Sequence, residues 1–504
     1  MSGMDAAAPA QAAWRAQARE ALPSWVCLLG VIILGAILRV GFLGQRSIWL
    51  DEAVVAWVAQ HPWREIPRLL AAADQHPPAY YLLMHAWQGV AGTSEVALRF
   101  PSACFGLASV ILTYVLARRI TSEATGLLSA LVVAISPFQL MSAQEARMYP
   151  LLGALCLAST IALLSSVEQG GARRWILYTI ASALAAYTHY LGLLVLAAHG
   201  VWVAGWERRH LRDWTGCAVA IALVFAPWIP SFLEQLRQVH SFDWYHGRVL
   251  DTGLGDLLGL LWFGGSRWGM GTYLAPGTLS PLEDGAILLP FLLLLWRGGV
   301  GLAANRRSLA LVALPPVITV GLMLAYSSLG RSMFVPRWFS FLQPFVAVVI
   351  ARGIRDVAER VTFPRQIAAL LIGVLLLYEV PVLQRYYFDP TFQSFNWRTA
   401  AATVRQMARP GDALVFVGQP ASIPFSYYFR ESLPSVDATS ADWAPTAAGV
   451  ARLAAQHPRL WIIAAVPFPA SARDRLLGEL SHTYRVAGLR NFAGAIVYLL
   501  SAQP

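Results

Sequence analysis

The stretch from Gln45 to Tyr81 concentrates side chains that can move protons. It carries the adjacent acids Asp51 and Glu52, then Asp74 and His76 just ahead of Pro77-Pro78. A carboxylate within hydrogen-bond reach of a hydroxyl can act as a general base. Two adjacent acids beside an apolar span are costly unless they meet water, a metal or a substrate. Asp51 and Glu52 are therefore both candidates for the catalytic carboxylate. The plainer reading is a solvated polar loop. A proline pair cannot lie inside a helix, so His76 is expected on a turn before the apolar run AYYLLMHAW. A second set is Gln144-Glu145-Ala146-Arg147-Met148-Tyr149. A guanidinium binds phosphate well in a part-dry site, so Arg147 is a candidate phosphate ligand. Glu145 is expected to hold Arg147 or a cation in place. A local Glu145–Arg147 pair that only stabilises the turn is the simpler alternative. Thr188-His189-Tyr190 adds a third cluster, with His189 and Tyr190 as cavity candidates or ordinary interfacial aromatics.

These residues must be positioned by a membrane scaffold. Of 504 residues, 57% are hydrophobic and only 13% are charged, with mean hydropathy +0.52. Soluble domains carry roughly a quarter charged residues, so the chain reads as a polytopic α-helical membrane protein. The net charge of +10 comes from basic residues dispersed between apolar runs, which argues against a nucleic-acid partner and for membrane orientation. Cys27, Cys104, Cys156 and Cys217 fall in apolar segments without metal-ligand spacing, and no disulfide is expected. Residues 1–24 form a mildly basic N-terminal segment ahead of a retained span.

About eleven apolar runs are long enough to suggest crossings, from Trp25–Phe42 to Ile367–Leu383. The basic connections, Arg15/Arg19, Arg118-Arg119, Arg173-Arg174, Arg208-Arg209, Arg306-Arg307 and Arg352–Arg365, then fall on one face. That face is expected to be cytoplasmic, with the N-terminus on it. The 25–384 region is thus read as the membrane domain, with an exterior loop at 44–95. All three chemical clusters fall on the outer side. Arg331 and Arg337 lie there too, against the trend of arginine staying inside. They are candidate ligands for an anion such as a lipid phosphate, or snorkelling side chains. The long segment Ser231–Gly285 holds Asp243, Trp244, Tyr245, His246, Arg248, Arg267 and Trp268, which suit a sugar or an acyl-chain lid.

From 385 to 504 the pattern becomes that of a small extracytoplasmic α/β domain. FNWRTAAATVRQMA and ARLAAQHP read as helices, ALVFVG and RLWIIAAV as strands, and TYRVAGLR with AGAIVYLL as a strand pair. No phosphate-binding glycine motif occurs in it. A cover or acceptor-docking role is expected, with Asn396-Trp397-Arg398 reaching toward the membrane-domain cavity.

The ordered motifs IWLDEA, DQHPPAYYLLMHAW, SEVALRFPSACFG, SPFQLMSAQEARMYPLL, THY and VPRWFSFLQP resemble those of the GT-C membrane glycosyltransferases. The similarity is to the branch of protein O-mannosyltransferases and lipid A aminoarabinose transferases. It spans the membrane domain and, more loosely, NWRTAA and PGDALVFV of the tail. It implies an integral protein of the bacterial inner membrane and an inverting transfer from a polyprenyl-phosphate sugar to a hydroxyl acceptor at the outer face. By position it implies Asp51 as the general base and Glu145, Arg147 and Tyr149 as donor-pocket residues. It also leaves room for a divalent metal ion, with Glu52 and His76 as candidate ligands. The tail departs from the mannosyltransferases, so the acceptor does not carry over.

Two other readings share the architecture. A flippase of a lipid-linked sugar needs polar groups along a path through the bilayer. Here the ionisable residues gather at one face, with Arg39 and Glu379 near the outer ends of their spans. A polysaccharide ligase or polymerase using a diphosphate-linked donor differs mainly in substrate.

Overall fold

The structure, a computed structural model, describes residues 23–239, 281–329, 336–389, 395–418, 420–437, 447–466 and 476–503. The apolar helix α1 (Ser24–Val40) opens it. Three short helices follow: α2 (Leu50–Ala59), α3 (Ile66–Ala73) and α4 (Ala79–Ala91). His76 sits in the irregular turn before α4, whose N-cap is Pro78. Trp49 has extended backbone and starts α2, which leaves Asp51 and Glu52 in its first turn. Acids are favoured there by the unpaired amides of the helix start.

Helix α5 (Glu95–Ile120) begins at Ser94, whose Oγ accepts the Ala97 N–H at 3.2 Å. Then come α6 (Glu123–Ile135) and α7 (Pro137–Ala143), bent by 60° at the break. Pro137 cannot donate to the preceding turn, so the last carbonyls of α6 are left open. Arg39 closes them, donating to Ala134 O and Val133 O at 2.9 Å each. This explains a fully buried arginine in α1. Gly106 makes room for it, since a Cβ there would stand 2.7 Å from Ala143 Cβ and 3.1 Å from Arg39 Nε.

The bundle continues through α8 (Tyr149–Gln169), α9 (Ala172–Thr188), α10 (Leu191–Trp206), α11 (Leu211–Phe225), α12 (Ile229–Val239), α13 (Pro281–Ala303) and α14 (Arg306–Leu329). A 3-10 turn, Pro336–Leu342, leads into α15 (Gln343–Ala358) and α16 (Pro364–Phe388). Helices cover the expected apolar runs, yet the crossings are fewer by length and apolarity. Among the described residues five helical stretches qualify: Glu95–Ile120, Tyr149–Gln169, Arg208–Arg237, Arg306–Ser328 and Pro364–Phe388. The bent α6–α7 pair brings them to six if it is one span. Helices such as α10, 16 residues long, fall short of the ~20 that a perpendicular crossing needs.

The tail folds around a five-stranded sheet. Helix α17 (Trp397–Met407) leads into β1 (Asp412–Val417), α18 (Ser422–Tyr428) and β2 (Ser435–Asp437). Then follow α19 (Ala447–Gln456), β3 (Arg459–Ala465), β4 (Tyr484–Phe492) and β5 (Ala495–Ala502). The order is β2-β1-β3-β5-β4, with β1 parallel to β2 and β3, and β5 antiparallel to β3 and β4. Strands β1 and β3 are buried on both faces, as their unbroken apolar runs require. One face packs on Trp397, Val404 and Phe425, the other on Val450 and Leu480.

Candidate active site

Asp51 and Glu52, neighbours in one helical turn, meet different surroundings. Glu52 is fully buried. It takes a two-point ion pair from Arg99, with Nε and one terminal nitrogen each 2.7 Å from a carboxylate oxygen. The Ala146 amide donates to it at 2.8 Å and the Trp49 amide at 3.4 Å. Each charge satisfies the other, which is what keeps such a pair tolerable inside a protein. Asp51 is 22% exposed and faces two cations. Arg337 lies 3.0 Å from its Oδ2 and Arg147 lies 3.6 Å away. The three segments that supply this triad are far apart in sequence, so the fold assembles it.

Arg147 sits in the turn between α7 and α8. Ser102 of α5 holds the carbonyl of Arg147 at 3.0 Å, and Tyr80 bonds Ser102 at 3.1 Å. Burial works against the Arg147 charge, but Asp51, Tyr149, Tyr81 and Asp74 outweigh it and keep the guanidinium firmly charged. The expected Glu145–Arg147 pair does not form: the side chain of Arg147 turns to Asp51, and only the Arg147 amide bonds the Glu145 carbonyl, at 2.8 Å. Glu145 is pushed up to about 7, by burial first and then by Glu52 and Asp51, against the pull of Arg337 and Arg147. Its neighbour Gln144 caps α1 instead, donating to Gly41 O at 2.7 Å and Leu38 O at 3.0 Å.

Asp74, His76 and His189 form an adjoining wall. Asp74 accepts from Tyr81 at 2.5 Å and pairs with His76 Nδ1 at 2.6 Å. Burial alone would raise its carboxyl, but His76, Arg147 and Tyr81 hold it down at about 2. The His76 ring lies 5.5 Å from that of His189, which also packs against Tyr149 and Trp338. Burial, with His76 and Arg147, pushes His189 well below the ordinary imidazole range, so it is neutral. Its Nδ1 accepts the Leu191 amide at 3.2 Å, so its proton resides on Nε2.

Several buried polar atoms around Asp51 have no hydrogen-bond partner among the described residues. They are Arg147 Nε, Arg337 Nε, Trp49 Nε1, Tyr149 Oη and His189 Nε2. Buried polar groups are almost always paired, with protein or with water, so these donors are available to an acceptor that enters the site. A phosphate has the oxygens and the charge to be that acceptor.

Some expected members stand elsewhere. Tyr190 is engaged by Gln235 and by Trp228, the latter at 2.9 Å. Arg331 and the candidates from Asp243 to Trp268 lie outside the described residues. Glu52 and His76 do not fit a metal: Glu52 is fully engaged by Arg99 and two amides, and His76 is bonded to Asp74. Among the described residues no group of three or more His, Cys, Asp or Glu gathers at metal-binding spacing. Sequence reasoning missed Arg99, Trp49, Tyr81 and Ser102. Arg99 had a signal, since a charge set in an apolar helix needs a buried partner.

Residues 75–231 match the family model described as dolichyl-phosphate-mannose-protein mannosyltransferase. No curated protein matches the chain at the level of sequence. The fold is similar to that of ArnT from Cupriavidus metallidurans bound to undecaprenyl phosphate, with TM-score 0.59 and 14% identity over 95% of this chain and 98% of that one. The apo form of the same protein gives 0.58 and 13%, over 94% and 97%. The Archaeoglobus fulgidus oligosaccharyltransferase in complex with Zn and sulfate gives 0.55 and 13%, over 94% and 72%. The chain thus has the fold of these solved transferases over nearly its whole length, and a segment within that fold matches the mannosyltransferase model.

Proposed function

We propose that the chain moves a sugar from a polyprenyl-phosphate donor to a hydroxyl acceptor, a lipid, glycan or protein, at the outer face of a bacterial inner membrane. Asp51 takes the acceptor proton. The acceptor oxygen bonds the anomeric carbon from the side opposite the phosphate, the bond from that carbon to the phosphate oxygen breaks, and configuration inverts. Polyprenyl phosphate leaves with the electron pair, and Arg147 and Arg337 receive its charge. Charge stabilisation of this kind is commonly the largest catalytic contribution. The observation that carries the reading is the set of unpaired buried donors surrounding a part-exposed carboxylate. Such a set suits a ligand phosphate. A phosphate that draws both guanidiniums also frees Asp51 oxygens for the acceptor hydroxyl.

Tyr149 and His189 Nε2 orient the same phosphate, and Glu145 tunes the local charge. Glu52 positions Asp51 by anchoring the first turn of α2. The similar ArnT structure is described with undecaprenyl phosphate bound, which favours a carrier of this class. The decisive experiment replaces Asp51 by Asn. Transfer from polyprenyl-phosphate sugars is expected to fall by about 10²- to 10⁴-fold, while undecaprenyl phosphate still binds. Near-normal transfer by the variant would reject the assignment.

A further inference from the structure

The seven residues that precede Asp51's helical turn are gripped from two sides. From α5, Arg99 donates to Leu43 O at 2.7 Å, Arg46 O at 2.9 Å and Ser47 O at 3.2 Å. From the C-terminal domain, Arg398 donates to Gly44 O at 2.7 Å, and its amide donates to Ser47 Oγ at 3.2 Å. Tyr428, the last residue of α18, accepts the Ile48 amide at 2.6 Å and the Ser47 hydroxyl at 3.3 Å. Tyr428 and Arg398 both bond Glu95. Glu95 and Arg99 stand four residues apart on α5, hence on one face. That face therefore binds the C-terminal domain at one position and Glu52 at the next. An aromatic stack runs alongside: Arg337 lies 4.8 Å over Trp49, which stacks on Phe395, which stacks on Trp397.

Only Trp49 and Leu50 separate this clamp, which ends at Ile48, from Asp51. Ile48 is completely buried, and its amide precedes the hydrogen bonds of α2, so helix propagation does not hold it. The Tyr428 hydroxyl is its acceptor.

We propose that Tyr428 is a positioning residue for Asp51, so that the C-terminal domain is a working part of the active site. Its hydroxyl fixes the Ile48 amide and, through the short link to α2, the direction of the Asp51 carboxylate. The inference rests on the reading of Asp51 as the base.

The test uses the full chain in lipid nanodiscs, comparing wild type, Y428F and Y428A. Amide hydrogen exchange is followed over residues 44–56, with undecaprenyl phosphate as the binding probe and thermal unfolding as the control. Y428F is expected to speed exchange at residues 48–53 by about tenfold, the loss of one hydrogen bond. Its unfolding temperature and its affinity for undecaprenyl phosphate are expected to match the wild type. Should Y428F exchange like the wild type while Y428A loosens the segment, the ring alone matters and the proposal is overturned. Equal exchange in all three proteins overturns it as well. Failure of undecaprenyl phosphate to bind the wild type would instead sink the reading of the site, while the exchange comparison still decides what Tyr428 holds.

Discussion

Asp51 and Glu52 are chemically alike and adjacent, yet the fold gives one a half-open site and the other a dry ion pair. Their substitutions should separate accordingly. Asp51→Asn is expected to unfold near the wild-type temperature, with transfer lost. Glu52→Gln leaves Arg99 buried without its partner and should cost about 3–5 kcal/mol of stability, read by denaturant or thermal unfolding. Glu145 supplies a pH signature. Its folded value near 7 stands above the ordinary 4.5, so the stability it contributes is complete below that ordinary value and is lost as pH rises through about 7. Above 7 its negative charge also opposes a phosphate held by Arg147 and Arg337. The phosphate loses its own second proton near about 6, which works the other way, so the comparison must be with Glu145→Gln. Affinity for undecaprenyl phosphate should be similar in the two proteins at acid pH. It should become several-fold weaker in the wild type at alkaline pH, measured by titration in detergent.

At the scale of elements, the broken helix α6–α7 is held by a side chain from α1. Arg39→Met removes the donors for Val133 O and Ala134 O and leaves two buried carbonyls open. Each costs about 1–3 kcal/mol, so unfolding should come several degrees earlier, while a folded fraction keeps its affinity for undecaprenyl phosphate. Residue types announced much of this level. The proline pair predicted the turn at His76, and continuous apolar runs predicted β1 and β3 as buried strands. Helix α18 stayed hidden because Ser422–Tyr428 is short, aromatic and interrupted by Pro424, all of which disfavour a helix locally. Tertiary packing on β1 decides it, with Phe425 fully buried against Phe416. The chemical inventory of Asp51, Arg147 and Arg337 was equally legible. Its pairings were not: Arg147 was expected on Glu145 but reaches Asp51, because contacts between distant segments follow from helix packing, which spacing along the chain does not encode.

For the whole molecule, the dispersed arginines predict an orientation with the tail outside, and that prediction can be checked directly. In a background where the four native cysteines are replaced, Ser481→Cys in the tail should react with a membrane-impermeant maleimide added to intact spheroplasts. Asn305→Cys, between α13 and α14, should react only after the membrane is opened. Reversed labelling would refute the orientation and, with it, an outer-face reaction. The stack of Trp49, Phe395 and Trp397, with Arg398 and Tyr428 beside it, has a consequence for how such chains can diversify. A foreign tail spliced on after α16 would arrive with the wrong lock for the strip between α1 and α2. Chimeras should work only when those four tail residues travel as a set, and recombination that separates them should yield proteins that insert and fold but sit idle.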